Sequence, residues 1–342
     1  MLNSVVRFGL VSLVLGLCGT PLGAIAKDGV FSCPAGQVAH AINIKAQQFT
    51  CVALPDTASD LAALQALVNA QTALIDTLQT AVAELQAKLG CMSKTGDDVY
   101  FTGCNVHVRN GLGATGPVVN GLGNLIVGYN EDASNLPFDP ALEPSVRTGS
   151  HNVVVGAGHS YTDRGGLVVG VANRITDRFA TITGGLRNTA SAPYANVSGG
   201  FLNTASGMFS SVSGGYLNNA TASYASVSGG RENTASGESS SVSGGHQNTA
   251  GASQYSSVSG GFQNTASGFA ASVSGGGDNT ASGASASVSG GQLNTANGVQ
   301  SSSVSGGFNG NASGSFSSVS GGNSRAAASD NSRAAGGLFE LN

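Results

Sequence analysis

The sequence predicts a mainly β protein, a parallel solenoid of stacked turns that follows an N-terminal coiled-coil helix. Three observations carry this prediction. A valine or isoleucine recurs every 14 to 16 residues through the second half of the chain, and an asparagine follows most of them six residues later. A separate stretch near the N-terminus carries a seven-residue apolar repeat. A short fixed period is typical of a coil in which each turn stacks on the one before it.

Each repeat contains two short alternating stretches. Ser211–Ser213 and Thr204–Ser206 each place one apolar residue between two hydroxyl residues. Alternation with a period of two predicts a strand with one buried face. Gly207, Gly214 and Gly215 follow the strands, and we expect them to supply positive φ angles at the corners.

The apolar position recurs often enough to predict thirteen turns. Its steps are 15 or 16 residues from Ile182 onwards and 14 residues just upstream, and the first member precedes an insertion. The members are Ile126, Val154, Val168, Ile182, Val197, Val212, Val227, Val242, Val258, Val273, Val288, Val304 and Val319.

Composition alone would favour a flexible linker, because Gly accounts for 52 of 342 residues and charged residues for only 9%. A linker has no reason to keep a register. Here the sixth residue after the apolar position is Asn in eight of nine turns, at positions Asn188, Asn203, Asn218, Asn233, Asn248, Asn264, Asn279 and Asn294. We therefore predict an ordered solenoid to which stacked Asn amides contribute stability.

One Val and one Ala per turn make a thin core, so we expect several copies of the chain to associate. Aromatic residues recur three positions before the valine, and we expect them to pack at a corner or at an interface between copies. They are Tyr194, Phe209, Tyr224, Tyr255 and Phe316.

Phrases such as Asn203–Gly207 and Ser211–Gly215 resemble the head repeats of trimeric autotransporter adhesins of the YadA-like or haemagglutinin type. The resemblance covers about Leu125 to Gly322. It implies a left-handed parallel β-roll and a homotrimer. In this chain the coil precedes the head and no membrane-barrel strands follow the repeats, so the family's C-terminal membrane anchor is not expected.

Residues 1–26 are predicted to be a secretory signal, with Arg7, an apolar run from Phe8 to Leu17 and a small-x-small site at Ala24–Ala26. Lipidation at Cys18 is the alternative, but Leu17 stands where a small residue is wanted. The run is too short to span a membrane. We expect a secreted or cell-surface protein without a transmembrane segment in the mature chain.

Removal of the predicted export signal leaves four cysteines. Because the exported chain enters an oxidising compartment, disulfides are expected. Three pairings are open. Pairing of nearest neighbours would close both ends of the helical segment. The four candidates are Cys33, Cys51, Cys91 and Cys104.

After a small N-terminal segment (27–55), residues 56–90 are predicted to form a coiled coil with Asp60 as N-cap and Gly90 as the stop. Leu, Val and Ile occupy nearly all seam positions over about four heptads. β-Branched residues at the first seam position with Leu at the second favour a dimer. Gln71 in the seam and the family resemblance favour a trimer, which we expect. The seam positions are Leu61, Leu64, Val68, Gln71, Ile75, Leu78, Val82, Leu85 and Leu89.

Residues 91–124 are predicted to form a neck, with strands at Asp97–Phe101 and Asn105–Arg109. The head, 125–322, contains an insertion at 129–149. Its carboxylates lack the regular spacing of a calcium site, so a solvated loop is preferred over a metal site. Charged residues appear where the repeats end, and 323–342 is predicted to be a cap that blocks growth of the last strand.

Few residues carry recognisable chemistry. The five histidines are scattered and no nucleophile elbow, zinc-binding His pair or phosphate loop occurs, so we expect no enzymatic activity, cofactor or metal. His151, His159 and Asp163 are expected in a surface cluster. A net charge of −4 and few basic residues in the repeats argue against nucleic acid as a partner.

The fourth and fifth residues after the valine vary most from repeat to repeat. Either they lie at an exposed corner that tolerates any residue, or they form a ribbon of ligand contacts. The candidate ribbon is Phe201, Tyr216, Arg231, His246, Phe262, Gln292 and Phe308. The leading hypothesis is a rod-shaped, exported, adhesin-like protein that makes many weak contacts with cells, matrix or glycans. The alternatives are an ice-binding solenoid with rows of hydroxyls and a purely structural spacer of an envelope or appendage.

Overall fold

The computed structural model describes residues 57–116, 118–137, 139 and 141–336, together with the backbone of three earlier strands. These strands, Leu22–Gly23, Gln37–Asn43 and Gln48–Ala53, form an antiparallel sheet with the last of them in the centre. Apart from Leu22–Gly23, the predicted signal segment lies outside the described residues, and so does Cys33. The chain divides into two compact units, Met1–Val106 and His107–Asn342.

The first unit contains one long helix, Thr57–Lys88, which confirms the helix predicted at the N-terminal side of the repeats. The helix starts three residues before the predicted N-cap, so Asp60 lies inside the first turn, where its charge complements the helix dipole. The predicted seam faces solvent in the single chain. Leu78, for example, is 56% exposed.

A hairpin follows the helix, with antiparallel strands Met92–Thr95 and Asp98–Phe101. Cys91 and Cys104 form a disulfide that closes its open end, and the Thr102 N–H donates to the Cys91 carbonyl at 2.7 Å. The prediction of a strand at Asn105–Arg109 is wrong. Met92–Thr95 provides the partner for Asp98–Phe101, and the disulfide ends the hairpin before residue 105.

Two parallel sheets form the second unit. The valine sheet has 14 strands in chain order, at Leu125–Val127, Val153–Ala157, Leu167–Val171, Thr181–Ile182, Asn196–Val197, Ser211–Val212, Ser226–Val227, Ser241–Val242, Ser257–Val258, Ser272–Val273, Ser287–Val288, Ser303–Val304, Ser318–Val319 and Arg333–Ala334. The alanine sheet has 12, at Ser160–Tyr161, Arg174–Ile175, Thr189–Ala190, Thr204–Ala205, Asn219–Ala220, Thr234–Ala235, Thr249–Ala250, Thr265–Ala266, Thr280–Ala281, Thr295–Ala296, Asn311–Ala312 and Ala326–Ala327.

The two sheets alternate along the chain, and this confirms a parallel β-solenoid of about 12 turns. Val212 pairs with Val197 and Val227, while Ala205 pairs with Ala190 and Ala220, so like residues stack on like. These side chains are fully or almost fully buried and fill the space between the sheets.

The number of turns is about 12 and not the predicted thirteen, and the solenoid differs from the prediction at both ends. Leu125–Val127 pairs with the strand at Val153 across the insertion, but the described part of the alanine sheet begins only at Ser160. As a result Ile126 is 40% exposed, although the equivalent Val154 is buried. At the other end Ala334 takes the valine position, and both sheets continue into the predicted cap segment.

A column of buried asparagines, the asparagine ladder, joins successive turns. The Asn203 Nδ2 donates to the Gly199 carbonyl of its own turn at 2.9 Å and to the Gly215 carbonyl of the next at 3.0 Å. Its Oδ1 accepts the backbone N–H of Asn218 at 2.9 Å. The pattern recurs through Asn294, whose Oδ1 accepts from the Gly310 N–H. The predicted role of the Asn amides is confirmed, since each buried side chain satisfies three backbone groups.

Only one of the three glycines predicted to have a positive φ has one. Gly215 has the predicted positive φ, at 90°, but Gly207 and Gly214 do not. A Cβ on Gly207 would lie 1.9 Å from the Ala222 carbonyl oxygen, so this glycine permits close stacking of two turns. The other left-handed corners are held by residues with side chains, such as Phe209 at φ 58°.

Candidate functional site

The seven residues of the predicted ribbon lie on one continuous ladder of parallel bridges, which we call the ribbon ladder. The bridged positions are Leu186, Phe201, Tyr216, Arg231, His246, Phe262, Gly277, Gln292, Phe308 and Asn323, each paired with the next. Successive turns hold these residues in register because the backbone bridges run between neighbouring turns. The ladder therefore places one variable residue per turn at a fixed spacing.

Charge concentrates in the middle of this ladder. The Arg231 guanidinium donates to Glu232 at 2.8 Å and lies over the Tyr216 ring, 5.5 Å from its centroid. Gln247 donates to the other Glu232 oxygen at 2.7 Å, and the His246 Nε2 lies 3.6 Å from that oxygen. The hydrogen bond from Arg231, and then that from Gln247, lower the pKa of Glu232. Glu232 is thus an anion that holds neighbouring side chains in place.

Aromatic rings flank the charged centre on both sides. Phe201 and Tyr216 lie 5.6 Å apart on one side, and His246 and Phe262 lie 5.3 Å apart on the other, both as tilted pairs. A partly exposed strip of aromatic faces around a small charged centre is suited to binding extended ligands through several modest contacts.

A second exposed strip, the aromatic column, consists of the residues three before the valine position. Phe179, Tyr194, Phe209 and Tyr224 form a continuous stack with centroids 5.2, 4.8 and 5.2 Å apart. The predicted corner packing is therefore present, and Tyr255 makes an edge contact with Phe269. The four stacked residues and Tyr255 are in the left-handed region, with φ of 58–60° in the stack and 61° at Tyr255.

Left-handed backbone is unfavourable for bulky side chains, at roughly 1–3 kcal/mol per residue. Stacking of adjacent rings recovers part of this, at about 0.5–1.5 kcal/mol per pair. The column nevertheless keeps exposed aromatics where Asn or Gly would fit with less strain. Strain of this kind is a reason to look for a binding role.

The prediction that His151, His159 and Asp163 form a surface cluster is wrong for His159. Its ring is completely buried because it occupies the asparagine-ladder position one turn before Asn173. His151 instead accepts the Asn110 N–H at 3.4 Å, and Asp163 pairs with Arg164 at 3.0 Å. The three residues do not converge on a common point.

The 129–149 insertion is organised by one carboxylate. Asp132 accepts hydrogen bonds from the Ser134 hydroxyl at 2.7 Å and from the Ser134 and Ser145 backbone N–H groups. The Ser134 hydroxyl is the main cause of the lowered pKa of Asp132. Asp139 pairs with Arg187 of the solenoid. Among the described residues, no three His, Cys, Asp or Glu side chains lie close enough together to hold a metal ion.

Two features of the site differ from what the sequence pattern predicts. The left-handed φ of the aromatic column was not predicted, although its position at a corner was. The role of His159 could have been found by counting 14 residues back from Asn173, since the upstream turns have that period.

Within the described part of the chain, no helix is both long and apolar enough to cross a membrane. In comparisons with known proteins, no family model matches this chain, and no curated protein matches it either.

Proposed function

We propose that the chain is an exported, non-enzymatic, adhesin-like surface protein that binds cells, matrix or glycans through the ribbon ladder. The observation that carries the proposal is the continuous register of that ladder, from Phe201 to Phe308. Individually weak contacts at a fixed spacing add together when the ligand is repetitive.

The proposal includes a homotrimer with a left-handed roll, secreted or held at the cell surface. Support for association comes from the helix Thr57–Lys88, whose seam residues, including Leu64, Val68 and Ile75, are exposed in the single chain. Apolar residues at heptad spacing normally pack against another helix. Three copies would also present three ribbon ladders, which multiplies the contacts with a surface.

The test combines mass and binding. Light scattering of the mature protein should give three times the chain mass, and the protein should adhere to at least one of immobilised cells, collagen-type matrix or a glycan array. Replacing Tyr216, Arg231 and Phe262 together by Ala should reduce adhesion at least tenfold without changing the mass. A matched triple substitution of Ser213, Ser228 and Ser259, exposed residues that directly follow strands of the valine sheet, should leave adhesion unchanged. Adhesion that survives loss of the ladder residues would contradict the proposal.

A second candidate function rests on the alanine sheet. Thr234, Thr249, Thr265, Thr280 and Thr295 stand in register on successive strands and point away from the buried alanines. A regular row of hydroxyls and methyls is the kind of surface that would order ice. Inhibition of ice recrystallisation by the purified protein, and its loss on Thr265→Lys, would favour this function over adhesion.

A further inference from the structure

The aromatic column is interrupted at one place, where a small residue stands between two tyrosines. Tyr224 ends the four-ring stack, Ser239 occupies the next turn, and Tyr255 occupies the turn after that. Backbone hydrogen bonds keep the three turns in register, with Ser239 N–H donating to Ser223 and Tyr255 N–H donating to Glu238. The column thus contains a slot one turn wide.

The slot offers the free face of an aromatic ring. Tyr224 stacks on Phe209 with an interplanar angle of only 12°, so its opposite face is directed along the column towards Ser239. Tyr224 and Tyr255 are 54% and 57% exposed, more than the other tyrosine of the stack, Tyr194, at 44%. The side chain of Ser239 is too small to cover the ring.

The width of the slot selects the size of its occupant. Two steps of the strand spacing place the rings of Tyr224 and Tyr255 roughly 10 Å apart. A group centred between them would lie about 5 Å from each ring, within the distance of about 6 Å at which a cation is attracted to an aromatic face.

The charge beside the slot selects a cation. Glu238 directly precedes Ser239 in the chain, is exposed, and accepts a hydrogen bond from Gln254 at 2.8 Å. It is one of three carboxylates between Ile182 and Gly322. Among the described residues it forms no ion pair, whereas Glu232 is paired with Arg231. A carboxylate without an ion pair, on the residue that directly precedes Ser239, favours a positively charged ligand in the slot.

We propose that Tyr224, Ser239, Tyr255 and Glu238 form a binding site for a quaternary ammonium group of the choline type. The trimethylammonium group occupies the slot above Ser239, the tyrosine rings contact its methyl groups, and Glu238 balances its charge. The site lies on the aromatic column and not on the ribbon ladder. The proposal of this site therefore does not depend on the proposed adhesion.

Calorimetric titration of the full-length protein tests the ligand class. Choline chloride and tetramethylammonium chloride should bind, and 3,3-dimethylbutan-1-ol, which has the shape of choline without its charge, should bind at least tenfold more weakly. Tyrosine emission gives a second readout, because the chain contains no Trp. Equal binding of the neutral alcohol, or binding of methyl glycosides in preference to choline, would overturn the proposal.

Variants test the location of the site. Ser239→Phe should continue the stack, fill the slot and abolish choline binding, whereas Ser285→Phe places the same ring at the equivalent position of another turn and should not. Glu238→Gln should weaken choline binding at least threefold. Binding that persists in Ser239→Phe would overturn the assignment.

Two further measurements separate the sources of the ligand and the rival occupant. Binding to phosphatidylcholine vesicles, compared with binding to a trimethyl-lysine peptide, distinguishes a lipid headgroup from a modified protein. Light scattering of Ser239→Phe should show an unchanged mass. A change of mass would mean that a second copy of the chain occupies the slot, and the proposal would then be wrong.

Discussion

The Nδ1 atom of His159 accepts the backbone N–H of Asn173 at 3.2 Å, so a histidine forms the first step of the asparagine ladder. The other ring nitrogen lies 3.1 Å from the Val155 carbonyl oxygen and donates to it. With one nitrogen accepting and the other donating, the ring must be neutral. Burial lowers the pKa of His159 below its ordinary value of 6.5, and the nearby Arg147 charge acts in the same direction.

This arrangement predicts that mild acid weakens the first turns. In the unfolded chain His159 takes up a proton as the pH falls through 6.5, whereas the folded chain resists protonation because its pKa is lower. Stability is therefore unaffected above this pH and decreases below it, by up to about 1.4 kcal/mol per pH unit. Urea unfolding followed by circular dichroism between pH 7.5 and 5.5 measures the slope.

The matched variant is His159→Asn, which supplies the residue that every following step of the ladder uses from Asn173 to Asn294. It should keep the fold and flatten the pH dependence, while His107→Asn, at an exposed histidine, should leave the slope unchanged. An identical slope in wild type and His159→Asn would contradict the assignment.

Asn233→Ala should be strongly destabilising. Its Nδ2 donates to the Gly229 and Gly245 carbonyls at 2.9 Å, and its Oδ1 accepts the Asn248 N–H at 2.9 Å. Loss of the side chain leaves buried backbone groups without partners, at roughly 1–3 kcal/mol each. Chemical denaturation should show a loss of about 3 kcal/mol or more. Asn297→Ala, at an exposed asparagine, should change stability by less than about 0.5 kcal/mol.

The two kinds of corner glycine should respond differently to alanine. Gly207→Ala would force a Cβ to within 1.9 Å of the Ala222 carbonyl oxygen, so the thermal midpoint should fall substantially. Gly214 lacks a left-handed φ, and a Cβ there would meet nothing within 4 Å in the single chain. Gly214→Ala should therefore be nearly neutral for folding. If it lowers the mass measured by light scattering, the first glycine of each pair lies against another copy.

The helix seam should control association. Leu78→Lys places a charge at an exposed seam position, and we expect the measured mass to fall to that of one chain because a lysine cannot be buried between helices. Thr80→Lys, on the opposite side of the heptad pattern, should keep the associated state. Retention of the full mass in Leu78→Lys would show that the helix does not hold the copies together.

The sequence by itself determined the strands, their register and the buried columns. Alternation around Val212 and Ala205 is a local property, and its recurrence aligns each residue with its equivalent one turn away. The same reasoning predicted the stacked Asn amides and the single line of ribbon residues from Phe201 to Phe308. It extends to the helix, whose heptads are also a local pattern.

Only the tertiary structure decided what happens at the corners and ends. Gly207 is needed for a contact with Ala222 in the next turn, Phe209 adopts a left-handed backbone, and His159 takes the place of an asparagine. The slot beside Tyr224 also depends on the spacing between turns. These features arise from distances between residues that are a full turn apart, and spacing along the chain specifies which residues are stacked but not how closely their backbones approach.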